Sequence, residues 1–275
     1  MNQTICFIGA GNMAQSLIGG LLASGYSKAH IFATDPTSVQ RDQITQTFGI
    51  HCFADNNEAI AKADIVVLAV KPQILQSVCK DIRASIQAKS CMVISVAAGI
   101  RSLDINRWLG GEVSIVRTMP NTPALIQTGA TGLFANPFVS ANQKSQAEHI
   151  LRAAGITIWV DDEQQLDIVT ALSGSGPAYY FLFMEAMEEA AKKMGLDAKT
   201  AHLLTMQTAL GAAKMVMESQ QDCATLRRNV TSPNGTTESA IKRFEESNLR
   251  QTVEGAMLCA QNRAKELADE LGGQA

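Results

Sequence analysis
Residues 9–14 read Gly-Ala-Gly-Asn-Met-Ala, a G-x-G-x-x-A that directly follows the apolar run TICFI and directly precedes the helix-like QSLIGGLLAS. A strand feeding a glycine-rich turn and then a helix is the opening of a dinucleotide-binding βαβ unit. Gly9 permits the tight turn, Gly11 lets the backbone approach a pyrophosphate, and Ala14 allows the helix to pack closely on the strand. The free N–H groups and positive dipole end of that helix then hold the phosphates. A tight strand-to-helix turn with no ligand is the alternative, and the order strand, motif, helix speaks against it.

From residue 4 to about 120, short β-branched or apolar runs alternate with amphipathic stretches, the pattern of βαβ units feeding a parallel sheet. Strands are expected at 4–9, 30–35, 51–53, 64–70, 91–97 and 113–119. The runs DIVVLAV and CMVISVA are continuously apolar, as when helices cover both sheet faces. After Val160 the strand-like runs vanish. The expected fold is α/β: an N-terminal Rossmann-like doubly wound parallel sheet over residues 1–161, then a C-terminal all-helical substrate-binding and dimerisation domain over 162–275. A chain of 275 residues exceeds the roughly 100–200 of one domain, in keeping with two.

The segment PAYYFLFMEAMEEAAKKM opens with Pro177, suited to a first helical turn, and closes at Gly195. Its start is apolar on every face, and residues 200–217 are nearly as apolar. A small helical domain cannot bury two such helices alone, so a second subunit is expected to cover them in an isologous dimer. An ordinary intrachain core is the alternative.

A net charge of −3 and the lack of any Lys/Arg cluster longer than a pair argue against nucleic acid. Cys6, Cys52, Cys79, Cys91, Cys223 and Cys259 are scattered without a Cys-x-x-Cys pair, so free thiols in a reducing cytoplasm are expected, with no metal site. No basic residue precedes Lys28, and no uncharged apolar run reaches the roughly 18 residues of a membrane helix, so neither signal peptide nor membrane segment is expected.

Asp35 ends the second strand, where an acidic residue binds the ribose 2′-hydroxyl of NAD and repels the 2′-phosphate of NADP. With Pro36 and Thr37 after it, Asp35 reads equally well as the cap of the next helix. Three further segments are rich in Gly, Pro, Ser, Thr and Asn: RTMPNTPALI (117–126), TALSGSGPAYY (170–180) and RNVTSPNGTTESAIKRF (228–244). In the third, Pro233, Asn234 and Gly235 break the chain before a helix expected near Thr236, whose exposed N–H groups can hold a small carboxylate without any Arg. A plain capped turn explains one such loop and explains three less well.

At these residues the sequence resembles the pyrroline-5-carboxylate reductases. The likeness runs the full length through FIGAGNMA, VKPQ, VAAG, MPNTPA, SGSGPAY and VTSPNGTTE. One departure is Asn234, where Gly is frequent; Asn tolerates positive φ, so the loop shape is expected to survive. The resemblance implies that Ile8, Gly9, Ala10, Gly11, Asn12, Met13, Asp35, Asn56, Val70, Lys71, Pro72, Ala97 and Ala98 line the cofactor. It implies that Glu163, Asn229, Ser232, Gly235, Thr236 and Thr237 surround the substrate, with Thr237 as the catalytic residue, hydrogen-bonded to the ring nitrogen. It implies NADPH, with NADH accepted by many members, and Asp35 weighs against a strict preference. It also implies dimers assembled into larger rings such as decamers.

The implied reaction is hydride transfer to the imine carbon of 1-pyrroline-5-carboxylate, giving L-proline. A protonated imine already accepts hydride well, which fits the position of His30, His51, His149 and His202 outside all three loops. Two rivals remain. A hydroxyacid dehydrogenase would need a proton donor, and Pro177 to Met187 holds no Lys; Lys192 and Lys193 come too late. A dinucleotide-binding redox sensor would not need the VTSPNGTTE loop.

Overall fold
The computed structural model describes residues 3–273; Met1, Asn2, Gln274 and Ala275, the outermost residues of the two expected domains, lie outside the described residues. The chain forms two compact units. The first runs up to Ser175 and takes in the stretch from Cys259; the second is Gly176–Leu258.

In the first unit, β1 (Ile5–Ile8), α1 (Asn12–Ala23), β2 (Ile31–Thr34), α2 (Ser38–Phe48) and β3 (His51–Phe53) make one half of a sheet. The second half comprises α3 (Asn56–Ile60), β4 (Ile65–Leu68), α4 (Pro72–Lys89), β5 (Met92–Ser95), α5 (Ser102–Trp108) and β6 (Ile115–Met119). The chain continues through β7 (Gly129–Ala135), α6 (Ala141–Arg152), β8 (Gly155–Trp159) and α7 (Gln165–Val169) to a π-helical turn at Thr170–Gly174. The strand order is β3-β2-β1-β4-β5-β6-β7-β8. Neighbours from β3 to β6 are parallel, β7 runs antiparallel to β6, and β8 is parallel to β7. On β1, Ile5 and Phe7 pack with Leu17 and Leu21, while Cys6 and Ile8 pack on the other face with Leu75 and Ile82. Both faces are therefore covered, which is why the parallel strands read as unbroken apolar runs. The order reverses between β1 and β4, and the crevice at such a switch point, beyond the carboxyl ends of the strands, is where doubly wound sheets take ligands.

Strands β7 and β8 go beyond the strands expected from the sequence. Their glycines disguise them: a Cβ on Gly132 would lie 2.9 Å from Val169, and one on Gly155 (φ 143°) would lie 2.0 Å from the Gly129 carbonyl. At these two positions close packing leaves no room for a side chain, so β7 reads mostly as small residues, whereas β8 keeps the β-branched Ile156, Thr157 and Ile158.

The second unit holds α8 (Gly176–Lys193), α9 (Ala198–Glu218), α10 (Cys223–Asn229), α11 (Thr236–Glu246) and the start of α12 (Leu249–Gly272). Helix α8 ends before Gly195, which takes φ 107°. Tyr180, Phe181 and Leu182 stand 72%, 62% and 67% exposed, so the chain leaves uncovered the apolar face for which a second subunit is expected. The end of α12 belongs to the first unit, where Arg101 pairs with Asp269 at 2.5 Å and Arg107 Nη2 donates to the Gly272 carbonyl at 2.6 Å. The expected break after residue 161 precedes α7, whereas the compact units divide after Ser175. Among the described residues, no helix is long and apolar enough to cross a membrane.

Candidate dinucleotide cleft and anion-binding turn
A cleft of about 920 Å³ opens at the switch point, within the size range of cofactor sites. Its floor is the β1–α1 turn, Ile8 to Asn12. Gly9 takes φ 93°, and a Cβ there would lie 2.8 Å from the Ala69 carbonyl; only glycine serves. Gly11 caps α1, and a Cβ on it would meet nothing within 4 Å, so its missing side chain leaves open space beside the first-turn N–H groups. This cradle fits a pyrophosphate, since unpaired N–H groups and a positive dipole end face space that a side chain would otherwise fill.

One wall is the end of β2 and the start of α2, with Thr34, Asp35, Thr37 and Gln40; Asn56 joins it, accepting the Thr34 hydroxyl at 2.6 Å. The other wall follows β4, with Val70 and Lys71. Lys71 caps α4, and Pro72 occupies the first turn without lining the cleft. Met13 lies on α1, Ala97 is buried, and Ala98 is exposed beyond β5; these three also do not line it. Gln15 and Gln40 were not singled out by the sequence. Both donate to the Ala10 carbonyl, at 3.0 and 2.8 Å, and so brace the glycine turn from two helices.

In the second unit, Asn234 takes φ 59° and donates its N–H to Glu238 at 2.8 Å. Gly235 caps α11, donates to the Ser232 carbonyl at 3.0 Å, and has no room for a Cβ, which would lie 2.9 Å from that oxygen. Thr236 and Thr237 follow, exposed in the first turn. Asn234 takes the positive φ that asparagine tolerates, and the helix starts at Thr236, where the break placed it. Asn229 ends α10 with its amide on Gln221 at 2.9 Å.

The chain is 52% identical to the pyrroline-5-carboxylate reductase of Pseudomonas aeruginosa over 268 residues, which cover 98% of each protein. The chain belongs to the pyrroline-5-carboxylate reductase family. Its dimerisation model, "Pyrroline-5-carboxylate reductase dimerisation", matches residues 163–267, and a model described as "NADP oxidoreductase coenzyme F420-dependent" matches residues 4–99. A solved reductase from Coxiella burnetii superposes with a TM-score of 0.94 at 48% identity, covering 98% of this chain and 99% of that one. The Plasmodium falciparum reductase, solved with NADP bound, gives 0.86 at 30% identity, covering 97% and 98%.

Among the described residues, neither a cysteine nor a histidine lines the cleft. Burial pushes the Cys6 and Cys79 thiols up to about 12 and Cys91 to about 11, so they stay protonated near neutral pH. Glu163 lies in the first unit, whereas Asn229, Ser232, Gly235, Thr236 and Thr237 lie in the second. Both its carboxylate oxygens are engaged: Oε1 accepts the Ser102 N–H at 2.6 Å and Arg117 Nη1 at 3.1 Å, and Oε2 accepts the Ser102 hydroxyl at 2.6 Å.

Proposed function
We propose that the protein reduces the cyclic imine 1-pyrroline-5-carboxylate to L-proline, the last step of proline biosynthesis, with NADPH as hydride donor and NADH as an alternative. The observation that carries this reading is the turn at Asn234 and Gly235, which presents the first-turn N–H groups of α11 in a chain that also holds a dinucleotide cradle. Gly9, Ala10, Gly11, Asn12 and Met13 would hold the pyrophosphate. Asp35 and Asn56 would face the adenosine ribose, and Val70, Lys71, Pro72, Ala97 and Ala98 would line the remainder of the cofactor. When bound, the reduced nicotinamide supplies the hydride.

The N–H groups of Gly235, Thr236 and Thr237 would hold the substrate carboxylate, with Asn229 and Ser232 beside it. The Thr237 hydroxyl would accept a hydrogen bond from the protonated ring nitrogen and keep the imine polarised. No strong base is required, because orientation alone contributes roughly 7–11 kcal/mol in the best cases. We leave Glu163 out of the substrate set, since its oxygens serve Ser102 and Arg117.

The working unit we propose is a cytoplasmic homodimer that covers Tyr180, Phe181 and Leu182, with decamers as the larger assembly, and neither nucleic acid nor membrane as partner. Oxidation of NADPH and of NADH with 1-pyrroline-5-carboxylate, and with a simple 2-keto acid as control, tests the reaction. Imine-dependent oxidation is expected; oxidation with the keto acid alone would point to a hydroxyacid dehydrogenase, and binding without turnover to a sensor.

A further inference from the structure
We infer that Glu163 is a positioning residue that holds the loops following β5 and β6 in fixed relation on the nicotinamide side of the cleft. The catalytic part of this inference rests on the reductase reading; the binding part does not.

Helix α5 starts without help from its own cap. The cap residue is Arg101, whose side chain has no acceptor, and it makes no side-chain cap bond. The acceptor arrives from Glu163, 61 residues away, which takes both the backbone N–H and the hydroxyl of Ser102 at 2.6 Å. The same carboxylate binds Arg117, a β6 residue whose side chain is only 5% exposed. Arg117 Nη2 also lies 3.5 Å from Asp167, within ion-pair range. One carboxylate thus ties the first residue of α5 to the strand two residues before Met119.

Strands β4, β5 and β6 are parallel and end on the same edge of the sheet. In a doubly wound sheet these strands form the second mononucleotide half, so the loops after β5 and β6 stand over the nicotinamide end while the β1–α1 turn holds the pyrophosphate. Residues 96–101 form the first loop, carrying Ala97 and Ala98 and turning at Gly99 with φ 69°. The second, after Met119, is pinned where Asn121 Nδ2 donates to the Ser173 carbonyl at 3.1 Å. The bridge between them is Glu163. Removing it frees the start of α5 and leaves Arg117 buried with Asp167 alone, an arrangement that displaces loops rather than merely weakening a surface contact.

The test compares Glu163→Ala, Glu163→Gln and Ser102→Ala for binding of NADP⁺ and of 2′,5′-ADP, which has no nicotinamide, alongside melting temperature and steady-state kinetics. For Glu163→Ala, NADP⁺ affinity and kcat are each expected to fall about tenfold or more, the scale of a misplaced reacting group, while 2′,5′-ADP and the KM for the imine stay within about twofold. Ser102→Ala removes one of the two bonds to α5, folds without a buried charge left over, and should shift NADP⁺ binding in the same direction by less. Glu163→Gln keeps an acceptor for Ser102 and should restore most of the loss. Equal losses for NADP⁺ and 2′,5′-ADP, unchanged NADP⁺ binding in folded Ser102→Ala, or a rise confined to the imine KM would overturn the assignment. If the wild type does not reduce the imine, the reductase reading fails, yet the contrast between the two nucleotides still decides this one.

Discussion

Asp35 turns one carboxylate oxygen back on its own chain: Oδ1 accepts the backbone N–H of Thr37 at 2.9 Å, immediately ahead of α2. Arg41 closes the same corner, with Nη1 donating to the carbonyls of Asp35 at 2.7 Å and Pro36 at 3.0 Å. Asp35 nonetheless lines the cleft, so the helix-start and ribose readings both retain an oxygen. Asp35→Ser keeps an acceptor for Thr37 while removing the charge that opposes a 2′-phosphate. The ratio of kcat/KM for NADPH over NADH is expected to rise about tenfold, equivalent to roughly 1.4 kcal/mol. An unchanged ratio, measured with the imine as substrate, would assign the carboxylate to the turn alone.

Why the conformation at Gly9 was readable from the sequence, and the Ser102–Glu163 contact was not, comes down to how local each one is. Gly9 is required first by its own φ of 93°, a backbone property of the turn, so the local motif carries it even though the carbonyl it approaches belongs to the distant Ala69. The Ser102–Glu163 contact spans 61 residues and depends on where α7 is laid down, which no short pattern encodes. Gln15 and Gln40 are of the same kind, since their shared target, the Ala10 carbonyl, exists only after α1 and α2 have packed. In β7, Gly129 and Gly132, needed for close approach, weaken the alternation that marks a strand. By contrast, Pro177 and Gly195 bracket α8 through local backbone preferences alone, and its ends fall where they were expected.

Adjacent glycines on α1 should respond oppositely to alanine. A Cβ on Gly20 would lie 2.0 Å from the Ala153 carbonyl oxygen, a backbone atom that cannot swing aside, whereas one on Gly19 would meet only the Phe48 ring at 3.4 Å. Gly20→Ala is expected to cost about 3 kcal/mol by overpacking. Gly19→Ala should stay within about 1 kcal/mol of wild type, helix propensity offsetting any crowding. Urea unfolding of the two variants decides it, and similar stabilities would show that α1 does not pack on residue 153 as described.

Burial raises the carboxyl pKa of Asp104 above its ordinary value, against the pull of Arg107, Arg101 and Arg117 and with a further push from Glu163. The ionised form therefore costs the folded state more than the unfolded chain. That cost is present near neutral pH and is lost as pH falls through the raised folded value, so this group's contribution to stability increases on acidification. Relative to Asp104→Asn, the wild type should gain stability between about pH 7 and about pH 4. A gap that instead widens in the variant's favour at low pH would show that the 3.0 Å contact with Arg107 outweighs burial.

Thr237 stands exposed in the first turn of α11, two residues beyond Gly235, so its replacement should leave the helix start intact. Alanine forms helix at least as well as threonine. If the hydroxyl accepts a hydrogen bond from the protonated imine, Thr237→Ala loses a bond to a charged group, and kcat/KM for the imine should fall about 10- to 100-fold. NADP⁺ binding should stay within about twofold of wild type if the proposed cradle at the start of α1 holds the phosphates, since the substitution leaves that turn unchanged. Thr237→Ser, which keeps the hydroxyl, should recover most of the rate. A loss of NADP⁺ affinity matching the loss of rate would place Thr237 on the cofactor instead, and a serine variant as slow as the alanine one would mean that the methyl group, not the hydroxyl, is what the substrate meets.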